Sequence, residues 1–218
     1  MPFFLQRPLP ALNGEIGLWK IEESESWFLS RIALHPDEQS QLDQIKGHRR
    51  IEWLSARYLV HKMSGRSKRG IFLKDQFGKP HLQDSPWQIS ISHSRHLSAA
   101  IAAPHAVGID IQKLVPKIER IVPRFMRPEE QASLGDQFKL EHIHVYWGAK
   151  EALYKAYGRK QLDFRKHIQV EPFIMEPAEG RCNGRITKDD YQQNFSLYYE
   201  ILPEDYILVY CHEKSRST

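Results

Sequence analysis

His142-Ile143-His144-Val145-Tyr146-Trp147-Gly148-Ala149-Lys150-Glu151-Ala152-Leu153-Tyr154-Lys155-Ala156-Tyr157 is the stretch that organises this chain. Val145, Ala149, Ala152, Leu153 and Ala156 recur at spacings of three and four, so they form one apolar stripe of a helix over 142–157. Gly158 supplies its stop. Trp147, Glu151 and Lys155, at i, i+4 and i+8, form a second stripe beside the first. A helix with such a face must lay it on another layer, and the flanking sequence supplies strands. Upstream, Ala106-Val107-Gly108-Ile109-Asp110-Ile111-Gln112 alternates. Val107, Ile109 and Ile111 are expected to point inward, and Gly108, Asp110 and Gln112 to share the opposite face. Downstream, residues 195–201 and 206–210 alternate in short runs, and 168–211 reads as antiparallel strands.

The first half follows a similar order. Residues 14–20 read as a strand, and 37–64 as one or two helices with Asp37 as N-cap and Gly65 as stop. Leu54 and Tyr58, one turn apart, are expected to face the core. Residues 71–74 form a short strand, 76–80 a turn, and 88–93 and 97–103 two more strands. In the first of these, Ile89 and Ile91 face one way, Ser90 and Ser92 the other. Beyond the halfway point, a helical region lies around 117–125 and another helix starts at Pro128. The expected fold class is α+β, in two similar halves, 1–105 and 106–218, each an antiparallel sheet packed on one long helix.

Composition excludes several classes. Over 218 residues, 41% are hydrophobic and 27% charged, which is ordinary for a soluble globular protein. No apolar stretch approaches the roughly 20 residues of a membrane helix. Met1-Pro2-Phe3-Phe4-Leu5-Gln6-Arg7-Pro8 lacks a basic segment followed by an apolar run, so no secretory signal is expected. Cys182 and Cys211 form neither a metal spacing nor a disulfide framework, and a reducing cytoplasm is the natural setting. Between 46 and 69 lie Lys46, Arg49, Arg50, Arg57, Lys62, Arg66, Lys68 and Arg69 against one acid, Glu52. Such a cluster either attracts phosphates or an acidic partner, or is a solvated helix face.

Two carboxylates stand out. Asp110 lies on the polar face of an apolar strand, and Glu151 lies mid-helix between Lys150 and Lys155. A hard cation such as Mg²⁺ takes a few carboxylates and completes its shell with water and phosphate oxygens. The spacing alone also allows Asp110 to cap a strand and Glu151 to pair with Lys155. Ser92-His93 ends a strand, where a hydroxyl and an imidazole can both donate to phosphate. The two cannot act as nucleophile and base, because neighbours on a strand point to opposite faces. There is no nucleophile elbow, no phosphate-binding Gly-rich loop and no zinc-protease pattern among the eleven histidines.

Gly78-Lys79-Pro80, Ile91-Ser92-His93-Ser94, Val107-Gly108-Ile109-Asp110-Ile111 and Trp147-Gly148-Ala149-Lys150-Glu151-Ala152-Leu153-Tyr154-Lys155 occur in the order and at the spacing of one family. Over residues 45–170 the chain resembles the 4′-phosphopantetheinyl transferase superfamily, in its long, surfactin-synthetase-activator type. Glu52-Trp53-Leu54-Ser55-Ala56-Arg57 looks like the family's first long helix, and Arg124-Phe125-Met126 with Glu130 like its central segment. The resemblance implies a pseudo-dimer of two α+β halves with coenzyme A in the cleft between them. It implies that Asp110 and Glu151, converging across the seam, hold Mg²⁺ (Mn²⁺ is possible), and that Lys155, Ser92 and His93 contact phosphates. Lys79 and Pro80 would lie along the adenine. Arg50 and Arg57, with Arg49 as a rival, would reach the 3′-phosphate. Many relatives carry Glu two residues after the metal-binding Asp, where this chain has Gln112. Its amide can ligate through oxygen or give way to water, and weaker metal affinity is expected.

The implied reaction is attack of a carrier-protein serine on the β-phosphate of coenzyme A, with release of 3′,5′-ADP. Catalysis would rest on Glu151, Lys155 and Asp110. The implied protein is a cytoplasmic monomer whose partners are coenzyme A and an apo acyl or peptidyl carrier protein, with no nucleic acid and no membrane. Fatty-acid, polyketide and nonribosomal-peptide biosynthesis all use such carriers. Two other classes remain open. One is a module that binds coenzyme A without turnover, which only Gln112 favours. The other is a nucleic-acid binder using residues 46–69, against which stands the lack of exposed aromatics beyond Trp53 and Tyr58.

Overall fold

The first strand has no counterpart in the sequence reading. Phe4–Leu9 (β1) pairs antiparallel with Gly14–Lys20 (β2), Gln6 opposite Gly17. Pro8 hid it, because proline breaks a ladder. An edge strand tolerates the missing donor, and β1 lies at the sheet edge. The computed structural model describes residues 4–214. The expectation of no secretory signal therefore falls partly on residues 1–3, outside those described.

The chain divides into two units, Met1–Pro104 and His105–Thr218. In the first, β2 is followed by Glu25–Leu29 (α1), Pro36–Asp43 (α2) and Arg49–Ser64 (α3). Phe72–Lys74 (β3), Pro80–Leu82 (β4), Gln88–Ser94 (β5) and Leu97–Ala103 (β6) complete it. The sheet is antiparallel, in the order β1-β2-β6-β5-β4-β3. Leu54, Leu59, Val60 and Met63 of α3 pack on Trp19, Ile89, Ala100 and Ala102. Burying each of the larger side chains contributes about 1.5–3 kcal/mol. Ser90 and Ser92 are buried on the other face. The N-cap of α2 is His35, not Asp37: its ring accepts from the Asp37 backbone N–H. Pro36 has no N–H and suits the first helical position, so the cap must precede it.

In the second unit, Val107–Lys113 (β7) leads through a 3₁₀ turn, Pro116–Ile121, into Val122–Phe125 (α4). Pro128–Ala132 (α5) and Lys139–Tyr157 (α6) follow, then Ile168–Val170 (β8), Glu179–Lys188 (β9), Tyr191–Leu202 (β10) and Tyr206–Glu213 (β11). This sheet is also antiparallel, in the order β7-β11-β10-β9-β8. The stripe Val145, Ala149, Ala152, Leu153 and Ala156 is fully inside, against Phe195, Leu197, Ile207, Val209 and Cys211. Cys182 and Cys211 are buried free thiols on either side of Leu197. No helix among the described residues is long and apolar enough to cross a membrane.

Both faces of β7 are covered: Val107, Ile109 and Ile111 are buried as expected, and the opposite face is covered too. It is the face of Gly108, Asp110 and Gln112 that lies under α6. A Cβ on Gly108 would sit 1.8 Å from the Ala152 carbonyl oxygen. Val107, Ile109 and Ile111 are buried too, but outside the core around α6. Alternation identified two faces; the absent side chain of Gly108 decides which one the helix takes.

Both units pin their long helix with a buried glutamate. Glu38, third residue of α2, accepts from the N–H groups of His35 and Phe72 and pairs with Arg69 and Arg57. Glu130, third residue of α5, accepts from the N–H groups of Arg127 and Val170 and pairs with Lys150 at 2.8 Å. Each carboxylate caps its own helix and receives a cation from α3 or α6, so the charge is satisfied where burial would otherwise be costly.

Candidate active site

Strand β7 runs antiparallel to α6 and sets three contacts in a row. Gly108 meets Ala152 and Ala156. Asp110 comes next: Lys155 Nζ donates to Asp110 Oδ1 at 2.8 Å and to the Ile109 carbonyl at 2.9 Å. Gln112, last, lies against His144 and Gly148. Glu151 is one turn before Lys155 on the same stripe. Its carboxyl is held above the ordinary range, first by burial and then by the charge of Asp110, with Lys155 opposing. The two carboxylates thus feel each other across one strand–helix contact. Both belong to the second unit, so no seam separates them, contrary to the expectation from sequence.

The first unit has a comparable close approach of a strand glycine to its long helix. There Gly17 of β2 approaches Leu59 and Met63 of α3, as Gly108 approaches Ala152 and Ala156. Two residues past Gly17 stands Trp19, and one before Leu59 stands Tyr58. Their rings pack edge-to-face, 5.1 Å between centroids. The matching positions of the second unit hold Asp110 and Glu151.

That donor set fits a divalent cation. Two crowded carboxylates, one of them reluctant to ionise, are relieved by a positive ion. Among the described residues no three His, Cys, Asp or Glu side chains form a ready-made cage. Mg²⁺ needs none, because it uses one or two carboxylates and fills its shell with water and substrate phosphates.

Gln112 is engaged elsewhere. Its Nε2 donates to the His144 carbonyl at 2.9 Å, and its Oε1 lies 2.9 Å from His144 Nδ1. His144 Nε2 lies 3.0 Å from the Val115 N–H and 3.2 Å from the Val115 carbonyl; in the tautomer that accepts from the N–H, Nδ1 carries the proton and donates to Gln112 Oε1. Burial holds His144 below its ordinary range, consistent with this neutral form. Both ends of the Gln112 amide therefore have partners on one residue of α6.

The remaining expected residues lie in the first unit. Ser92 is buried at the end of β5, while His93 is exposed and faces Glu52 of α3 at 3.2 Å. Lys79 and Pro80 follow a turn built by Asp75, whose Oδ1 accepts from the N–H groups of Phe77 and Lys79. The arginine assignments change. Arg57 is buried, paired with Glu38 and stacked 3.2 Å from the Trp53 ring centroid, so it is not placed to meet a phosphate. Arg50 is half-buried, chelated by Glu25 and donating to the Leu42 and Ile45 carbonyls. Arg49 is the exposed one of the three. Arg66 and Arg69 also bind inward, to the Gln83 and Asp84 carbonyls and to Glu38. The basic cluster of 46–69 therefore presents Lys46, Arg49, Lys62 and Lys68 to solvent.

Arg57→Ala tests this correction. Leaving Glu38 short of a buried partner is expected to cost about 3–5 kcal/mol, a fall in Tm of roughly 10 °C. Thermal melts together with coenzyme A titration check it: affinity should stay within about twofold, whereas a loss of one 3′-phosphate contact would be worth about tenfold or more.

Lys150 and His144 had no role in the sequence reading, although Lys150 lies in the quoted motif. Lys150 is fully buried, with its three hydrogens directed at Glu130 and the Phe164 and Ile168 carbonyls. It anchors the turn of α6 that carries Glu151. The only signal in sequence was Glu130, already noted, which shares no periodicity with Lys150.

Comparison with known proteins agrees with the family resemblance. Residues 106–211, which include Asp110, Glu151 and Lys155, match the family model described as 4′-phosphopantetheinyl transferase superfamily. The chain is 27% identical over 158 residues to the 4′-phosphopantetheinyl transferase gsp of Aneurinibacillus migulanus, covering 71% of this chain and 63% of that protein. It is 29% identical over 110 residues to the 4′-phosphopantetheinyl transferase ffp of Bacillus subtilis, 49% of this chain and 47% of that one. A further Bacillus subtilis 4′-phosphopantetheinyl transferase is 32% identical over 104 residues, 45% of this chain and 46% of its own length. The matches thus span from about half to under two thirds of these relatives.

Proposed function

We propose that this chain transfers the 4′-phosphopantetheine group of coenzyme A to a serine of an apo acyl or peptidyl carrier protein, with Mg²⁺ and with release of 3′,5′-ADP. The observation that carries the reading is the meeting of Asp110, Glu151 and Lys155 at one strand–helix contact, in the unit that matches the family.

Asp110 and Glu151 would hold the Mg²⁺. When bound, the ion neutralises negative charge on the pyrophosphate and so favours attack at phosphorus. Glu151, directly or through water, would take the serine proton. Lys155 now neutralises Asp110. Its ammonium would also stabilise the leaving phosphate. Ser92 and His93 are proposed as phosphate donors, Lys79 and Pro80 as the adenine shelf. Arg49 replaces Arg57 as the reach to the 3′-phosphate. On this reading the two units are the two halves of the family's pseudo-dimer. The protein works as a cytoplasmic monomer, without nucleic acid or membrane.

The test is a panel of apo carrier proteins from fatty-acid, polyketide, peptide and lysine pathways. Each is incubated with the protein, coenzyme A and Mg²⁺ and weighed intact. One carrier or more should gain the mass of a single phosphopantetheine group, and the gain should vanish with a chelator. No gain on any carrier would contradict the proposal.

A further inference from the structure

The placement of Gln112 bears on how the metal centre is built. The amide makes a two-point contact with one residue of α6, donating to the backbone of His144 and accepting from its ring. The ring is fixed in turn by the Val115 N–H, just past the end of β7. Around this contact the packing is closed: a Cβ on Gly148 would fall 2.9 Å from Gln112 Nε2 and 2.7 Å from a Val209 methyl. Gln112 thus binds β7 to α6 two residues beyond Asp110 and nearly two turns before Glu151. A carboxylate there could not donate to the His144 carbonyl. The amide is chemically suited to this place as a carboxylate is not.

We propose that Gln112 and His144 form a positioning clamp, and that the divalent ion is held by Asp110 and Glu151 without a side-chain ligand from residue 112. The proposal rests on the transferase reading above, because it presumes that those two carboxylates bind the ion. The clamp sets the register of β7 on α6, and the register sets the distance between the two carboxylates. Gln112 acts on the metal only through that distance, and His144 acts with it.

Mn²⁺ binding, followed by electron paramagnetic resonance or calorimetry well below the melting temperature, tests this independently of turnover. Gln112→Met and Gln112→Ala, His144→Phe, the double variant Gln112→Met/His144→Phe and the control Asp110→Ala are compared with the unaltered protein, with circular dichroism to confirm folding. Gln112→Met keeps the shape of the side chain while removing both hydrogen bonds. Each single change should weaken Mn²⁺ binding by about tenfold, the scale of outer-shell support. The double variant should be no weaker than the weaker single, because both changes release the same clamp. A tenfold loss from Gln112→Met with none from His144→Phe would make Gln112 a direct ligand and overturn the proposal. So would unchanged affinity in both singles. Unaltered Mn²⁺ binding by Asp110→Ala would instead strike the transferase reading itself.

Discussion

Replacing Gly108 with alanine is expected to unfold the second unit or to leave it with a melting temperature lower by on the order of 10 °C. The added methyl would lie 1.8 Å from the Ala152 carbonyl oxygen and 2.7 Å from its carbonyl carbon. These are backbone atoms of a helix whose apolar face is fully buried, so neither can yield cheaply. The cost should exceed the roughly 1–3 kcal/mol of ordinary overpacking. Relief requires β7 to part from α6, and Asp110 would move with it away from Glu151. Thermal melts and transfer assays should therefore fall together. A variant with unchanged Tm and activity would show that β7 does not lie on α6 as described.

The second large effect has opposite signs in stability and activity. Glu151→Gln should reduce transfer by at least about 10³-fold, since on the proposed reading it removes both a metal-binding oxygen and the proton acceptor. In the absence of divalent ions the same variant should be more stable than the unaltered protein at neutral pH. Glu151 has a raised folded-state pKa. Its unfolded form ionises first as pH rises from acid, so the folded state binds more protons between the two values. Stability then falls as pH climbs through that window, and stays reduced above it. Glutamine removes this loss. Melting curves from acid to neutral pH, with chelator present, should show the two proteins converging below the ordinary glutamate pKa and separating above it. A variant less stable at neutral pH would mean that Glu151 is not strained by its surroundings.

What the sequence made legible follows from which forces are local. The stripe on α6 and the alternation in β5, β7, β10 and β11 reflect single elements facing a core, so spacing alone exposes them. Edge strand β1 escaped because Pro8 is a local warning against a strand, while its tolerance depends on a neighbour only on one side. The burial of Arg57 was hidden because its counter-charge, Glu38, lies on another helix and meets it only in the folded unit. Charge within a basic run looks exposed until its counter-charge is located. The same holds for Gln112. Strand parity aims it correctly at the face of Asp110, yet His144, 32 residues away, turns its amide aside. Asp110 and Glu151 were singled out through the family motifs, and a division near residue 105 already put both in the second half.

The central claim is that Asp110 and Glu151 together grip a divalent ion beside coenzyme A. Crystals grown with coenzyme A and Mn²⁺ give the direct measurement, the position of the anomalous scattering peak. The account predicts one peak within coordination distance, about 2.0–2.3 Å, of a carboxylate oxygen of each residue and of a pyrophosphate oxygen. A peak elsewhere, or coenzyme A bound with no metal at these two carboxylates, would contradict it.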